Sequence, residues 1–249
     1  MTYPKEERNK HWEQILNKFF DFKKGIALVT TSNLKSVIQD KEIRLLNYFD
    51  SEDTMPDPLK KNKLMLFPNT TKSWWLVKCE GFMELEPMNK EIIKFKSKSK
   101  FKLLSSQAGM GEQQYLLNLI NSGILKDFLK IEKEFYFSIM GKQRSKEFQL
   151  EIGGHKIKIE KPGIEIDAGF EGESFSVIVE AKAKIIKRFS KRQLYFPYMH
   201  VKKMTGKETI PVFFCWDAKT NTYNLWRFEI KEDNIEKIKL ADSQRYFLT

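Results

Sequence analysis

Gly163-Ile164-Glu165-Ile166-Asp167-Ala168-Gly169-Phe170, then Glu171-Gly172-Glu173-Ser174, then Phe175-Ser176-Val177-Ile178-Val179-Glu180-Ala181-Lys182, reads as two alternating strands joined by a turn. Alternation with a period of two marks a strand, because successive side chains point to opposite faces. A two-residue loop at Gly172-Glu173 would use the glycine for the positive backbone angle that a type II′ turn demands at its first central position. That loop pairs Glu171 with Ser174 and sets Asp167 opposite Ile178, one diagonal step from Glu180. One face of the hairpin then collects Ile164, Ile166, Ala168, Phe170, Phe175, Val177, Val179 and Ala181, all apolar, and belongs in the core. The other face gathers Glu165, Asp167, Glu180 and Lys182, since diagonal neighbours on a sheet lie about 7 to 8 Å apart at their Cα atoms.

Carboxylates held that close repel one another unless a cation lies between them, and oxygen ligands of this type suit Mg²⁺ or Mn²⁺. The competing reading is a solvated face whose Glu and Lys residues form weak surface pairs. What favours the first is the order of the groups: an acid on one strand, then Glu180-Ala181-Lys182 at the end of a strongly apolar second strand. In this order the chain resembles the PD-(D/E)XK nuclease superfamily, whose motif pairs an acid on one strand with Glu-x-Lys or Asp-x-Lys on the next. The resemblance covers roughly Glu112 to Trp216 and implies that Asp167 and Glu180 are the metal-binding acids and Lys182 the catalytic lysine. The sequence departs from the family pattern at one point: Ile166 precedes Asp167 where the family's name carries a proline, and the nearest proline is Pro162.

The resemblance implies more. A further acid on a helix before the hairpin corresponds to Glu112, for which the rival role is a helix N-terminal acid facing the helix dipole. Gln193, in Arg192-Gln193-Leu194-Tyr195-Phe196-Pro197-Tyr198, would position a water or a phosphate; otherwise it is a polar residue on a helix whose aromatics are core, with Pro197 interrupting that helix. A helix and a further core strand are expected within 185–204 and 210–216. The expected fold is α+β, a central mixed sheet flanked by helices, with the catalytic core in residues 105–249 and an N-terminal region, 1–104, available for DNA recognition. The activity implied is that of a type II restriction endonuclease, Mg²⁺-dependent hydrolysis of phosphodiester bonds in double-stranded DNA, with Mn²⁺ as a substitute. A repair or structure-specific nuclease of the same fold and a non-catalytic DNA-binding protein are the alternatives. A homodimer follows from the two-fold symmetry of a palindromic site, and a cognate methyltransferase in the host from the family alone.

Composition agrees with a nucleic-acid partner. The 249 residues carry 44 Lys plus Arg against 33 Asp plus Glu, a net charge of +11, which favours a polyanion. Lys184, Lys187, Arg188, Lys191 and Arg192 follow the hairpin closely enough to hold a DNA backbone beside it, or they form a solvated helix face. Lys94 to Lys102 alternates strictly, putting five lysines on one side of any strand built there, either to track phosphates or to protect a sheet edge. No apolar run approaches the roughly 20 residues that cross a bilayer, and the start lacks a signal-peptide core, which predicts a cytoplasmic protein with no membrane partner. The two cysteines, Cys79 and Cys215, read as small core residues, and His11, His155 and His200 show no metal-ligand pairing. Outside the hairpin, helices are expected from Glu6 to Phe22, from Asn33 onward behind a Ser or Asn cap, and from Gly111 to Asn121. A loop is expected around Pro56, Pro58 and Pro68, and strands between Ser73 and Leu85.

Overall fold

Seven strands form the central sheet. In spatial order they are β5 (Ile92–Phe95), β14 (Ile238–Leu248), β13 (Thr222–Ile230), β12 (Glu208–Asp217), β10 (Phe175–Lys182), β9 (Gly163–Gly172) and β6 (Phe135–Arg144). The pairs β10–β12 and β14–β5 are parallel and the rest antiparallel, so the sheet is mixed. A parallel pair cannot be joined by a tight turn, and the crossover from β10 to β12 runs through helix α7 (Lys191–Thr205). The computed structural model describes all residues except 1–2, 40–41, 48, 50, 86–87, 89, 102 and 105–110.

Helices or further layers cover both faces of this sheet, which explains why β10 is apolar at almost every position: Phe175 through Ala181 are all buried. On one face, α5 (Glu112–Ser122) and α6 (Ile124–Leu129) pack Tyr115, Leu116, Leu119 and Phe128 in one core with Ala168, Phe170, Val177, Val179 and Ala181. On the other face, α7 brings Leu194, Tyr195 and Tyr198 into a core with Ile178, Phe213 and Phe228. That core continues into the N-terminal layer, made of α1 (Lys5–Phe19) and an antiparallel sheet ordered β1 (Ile26–Thr30), β3 (Ser73–Lys78), β2 (Leu64–Pro68). Phe67 of β2 stacks on Phe196 of α7 with ring centroids 6.4 Å apart. The fold is thus α+β, a large mixed sheet flanked by helices. Among the described residues no helix is long and apolar enough to cross a membrane.

The N-terminal portion is stitched to the core. Strand β4 (Phe82–Glu84) pairs with β11 (Arg188–Ser190), and β5, within residues 92–95, is the outer strand of the central sheet. A division at 104/105 therefore cuts through the central sheet's membership. The run Lys94–Lys102 is a strand only as far as Phe95, and Lys102, the last of its five lysines, lies outside the described residues.

Several local expectations are corrected by side-chain chemistry. Helix α1 stops at Phe19, short of Phe22, where Asp21 Oδ1 accepts from the Lys23 and Lys24 amides in a turn. The helix expected from Asn33 is α2 (Thr31–Ile38); its cap is Thr30, which shares a reciprocal capping box with Asn33. The proline-rich loop contains α4 (Asp57–Lys61), because Pro58 falls in the first turn, where no amide is needed, and then β2, whose Leu64 to Phe67 are all buried. After the hairpin, residues 188–190 form β11 and only then does α7 begin. Pro197 does not interrupt α7; the helix runs through it, and the missing amide removes the donor that ordinarily serves the Gln193 carbonyl.

The hairpin register differs from expectation by two residues. Glu171 faces Ser176, Phe170 faces Val177 and Ala168 faces Val179, so the loop is Glu173-Ser174. A shift of two keeps alternate residues on their faces, but the expected apolar face is divided: its members from Ala168 to Ala181 pack against α5 and α6, whereas Ile164 and Ile166 join the core on the α7 side. Gly172 is the last residue of β9 and has no positive φ. Its lack of a side chain serves packing instead: a Cβ there would sit 2.4 Å from the Phe175 ring. Gly172→Ala is therefore expected to destabilise the protein by about 1–3 kcal/mol through overpacking. Urea denaturation measures it, and a loss below about 0.5 kcal/mol, the level of a neutral surface change, would contradict the packing role.

Candidate functional site

The last facing pair of the β9–β10 ladder is Ala168 with Val179. One step further along each strand stand Asp167 and Glu180. Beyond that point β9 leaves β10, while β10 stays paired with β12 as far as Lys182 opposite Cys215. A strand that loses one neighbour leaves alternate backbone N–H groups without a ladder partner, here at buried Ala181 and at exposed Ala183. Two carboxylates take those places. The Ala181 amide donates to Asp167 Oδ2 at 2.7 Å, and the Ala183 amide donates to Glu112 Oε1 at 2.8 Å.

The same strand end holds the other expected residues. Lys182 Nζ donates to Glu180 Oε1 at 2.6 Å and to the Ala181 carbonyl at 3.0 Å. Gln193, in the first turn of α7, donates through Nε2 to the same Glu180 oxygen at 2.9 Å. That contact fixes the orientation of the amide, because its oxygen would repel the carboxylate. Gln193 Oε1 then points away, buried and without a partner among the described residues. The Glu180 and Lys182 side chains are 8% and 19% exposed, so this is no solvated surface pair. All five residues expected at the site, Asp167, Glu180, Lys182, Glu112 and Gln193, meet at the C-terminal end of β10. In open α/β sheets the carboxyl ends of strands are where ligands bind. Glu112 reaches across to β10 rather than serving only its own helix end.

The electrostatics follow from the burial. Burial raises the Asp167 carboxyl above its ordinary value, and Glu112 and Glu165 push it the same way against the Ala181 amide and the Lys182 charge. Burial alone would lower the Lys182 ammonium, but Glu180, Asp167 and Glu112 together hold it well above the usual lysine range. Lys182 is thus a fixed cation, outnumbered by Asp167, Glu180 and Glu112. This donor set of carboxylates, with a spare buried amide oxygen, has the hard character that Mg²⁺ or Mn²⁺ requires. Among the described residues no three His, Cys, Asp or Glu side chains close a cage. The fit is to a cation held by one or two carboxylates with its remaining ligands from water and substrate, as is usual for Mg²⁺.

The basic run after the hairpin is divided. Arg188 binds Glu52 through Nη1 at 2.6 Å and Glu80 through Nη2 at 2.9 Å, and lies over Phe82. Lys191 donates to the Glu80 carbonyl at 3.2 Å. These two tie α7 and β11 to the N-terminal layer. Lys184 and Lys187 are exposed, and Arg192 is half-buried. Sequence reasoning missed the acceptor needs of the Ala181 and Ala183 amides, since alanines carry no side-chain signal for them.

Residues 77–247, more than half of the chain, match a family described as a domain of unknown function (DUF6997), and residues 9–76 match a second, also described as a domain of unknown function (DUF6996). No curated protein and no solved structure matches the chain.

A raised carboxylate pKa means that the folded state binds more protons than the unfolded state between the ordinary value and the raised one. Stability contributed at Asp167 therefore falls as pH rises through that window. Asp167→Asn keeps an acceptor for the Ala181 amide and removes the buried charge. With chelator present, its urea midpoint should exceed that of the wild type at neutral pH, and the difference should close as pH falls to about 4, the ordinary carboxylate range. A variant less stable than the wild type across that range would contradict the desolvation account.

Proposed function

We propose that this chain, which belongs to the DUF6997 family, is a PD-(D/E)XK-type nuclease, a type II restriction endonuclease that hydrolyses phosphodiester bonds in double-stranded DNA with Mg²⁺. The observation that carries this reading is the convergence of Asp167, Glu180, Lys182, Glu112 and Gln193 where β9 parts from β10. Structural ion pairs alone do not call for three carboxylates, Glu180 buried and Asp167 and Glu112 half-buried, gathered around one lysine at an open strand end.

Hydrolysis of a phosphodiester needs an oriented water, neutralisation of charge gathering on the phosphate, and help for the departing oxygen. Asp167 and Glu180 would hold the divalent cation, which supplies Lewis acidity for the phosphate and a more acidic water. Lys182 keeps its proton in this setting. Its role is then that of a cation, donating to the water or the phosphate oxygens rather than removing a proton. Gln193, through Nε2 on Glu180 Oε1, would hold that carboxylate in the orientation that meets the cation. Glu112 fixes the loosened end of β10 and adds negative charge that favours cation binding. The net charge of +11 supports an extended polyanionic substrate. A homodimer would match the two-fold symmetry of a palindromic site.

Purified protein incubated with mixed-sequence plasmid DNA should give discrete fragments with Mg²⁺ and none with chelator. Asp167→Asn, Glu180→Gln and Lys182→Ala should each lower the cleavage rate by at least about 100-fold, the usual consequence of deleting one group that stabilises a transition state. Smeared products would move the reading to a repair-type or nonspecific nuclease. Tight, salt-sensitive binding with no cleavage under any divalent metal would replace it with a non-catalytic DNA-binding role.

A further inference from the structure

Strand β6 ends in Gly141, Lys142, Gln143 and Arg144, which face Ile166, Glu165, Ile164 and Gly163 of β9. This segment therefore borders Asp167 on the side away from β10. It is also the outermost strand of the central sheet, so its far edge meets no other strand of that sheet. Lys142 and Arg144 are exposed, and Met140 is 47% exposed. They share one face of the strand, about 7 Å apart along it, a spacing comparable to that of successive phosphates on a nucleic-acid strand. Gly141 adopts φ +84°, and a Cβ there would meet nothing within 4 Å. A glycine within a strand, with open space above it, leaves room for another backbone to approach.

What distinguishes Lys142 and Arg144 is their place beside Asp167 on the outermost strand of the sheet. Arg188, Lys202 and Lys207 are each engaged by acids of the same chain. Among the described residues, neither Lys142 nor Arg144 has an ion pair or side-chain hydrogen bond, although Lys142 stands opposite Glu165 in the ladder. A cation with no internal partner meets an external phosphate without first breaking a bond, and the arginine fork matches phosphate oxygens in pairs.

We propose that the Gly141–Arg144 end of β6 is a phosphate-backbone clamp for duplex DNA. Lys142 and Arg144 grip phosphates flanking the one presented to Asp167, and the open space at Gly141 lets the sugar-phosphate chain pass. The inference rests on the nuclease reading and names the surface that holds its substrate. It moves the main backbone contact away from Arg188 and Lys191, which the structure commits to the N-terminal layer.

The test is fluorescence anisotropy with a mixed-sequence DNA duplex in Ca²⁺, over a series of salt concentrations. The double variant Lys142→Ala/Arg144→Ala is compared with Lys231→Ala/Lys239→Ala. The latter removes the same charge from exposed positions at the opposite end of the sheet, where Ile230 pairs with Ile238. The clamp predicts binding at least about tenfold weaker for the first variant and a slope of log affinity against log salt shallower by about 2, with the control near wild type. Equal affinities and slopes for the two variants overturn the clamp. If the wild type still cuts plasmid with Mg²⁺ in that case, the nuclease reading survives without it. Failure of the wild type to bind or cut any duplex overturns both.

Discussion

The parting of β9 from β10 after Ala168 and Val179 is the constraint on which the site depends. A strand kept on one side by β12 and released on the other leaves the amides of buried Ala181 and exposed Ala183 without a neighbouring strand to pair with. Carboxylates accept from them at Asp167 and Glu112, and so the backbone itself draws two acids from different elements to one place. Side-chain chemistry follows from that placement: Glu180 points to the same end, Lys182 compensates part of its charge, and Gln193 arrives on the first turn of the crossover helix. The residues that would perform chemistry are held by the bonds that complete the sheet, which makes the arrangement rigid before any substrate arrives.

That end can be polar because the rest of the strand is not. From Phe175 to Ala181 β10 is buried on both faces, between the α5–α6 layer and the α7 layer. The N-terminal layer deepens the second core through Phe67 on Phe196, and Arg188 secures it by bridging Glu52 and Glu80. The N-terminal residues therefore support α7, and through Gln193 they support the site. Their sequence match to a separate family ends at residue 76, yet their packing is continuous with the core.

Much of this was legible in the sequence because strand alternation constrains which side chains share a face. Alternation put Ala168, Phe170, Phe175, Val177, Val179 and Ala181 on one face, and Asp167, Glu180 and Lys182 follow from it and from the order of the acids and the lysine. Ile164 and Ile166 pack in the opposite core, and Glu112 and Gln193 came from the family resemblance. The hairpin register could not be read in this way. In the observed register the Phe175 ring lies over Gly172, a contact invisible to a rule based on backbone angles. Pro197 was misleading for a related reason: tertiary burial of its neighbours Phe196 and Tyr198 sustains the helix through a lost amide. The basic run from Lys184 to Arg192 looked uniform, but long-range acids at Glu52 and Glu80 claim part of it. Lys142 and Arg144 gave no periodic signal, and their place beside Asp167 follows only from the pairing of β6 with β9, whose two irregularities around Ile139 cancel. Sequence spacing reports faces and local turns; it does not report which distant partner has already taken a charge.

The central claim is that Asp167 and Glu180 hold a divalent cation at the loosened end of β10. Anomalous diffraction from crystals of the protein grown with duplex DNA and Mn²⁺ addresses it most directly. The account predicts a manganese peak bonded to carboxylate oxygens of both Asp167 and Glu180, close to Lys182 Nζ and lost in Asp167→Asn. Manganese bound elsewhere on the chain, with the Glu180–Lys182 pair unchanged and no peak beside Asp167, would contradict it.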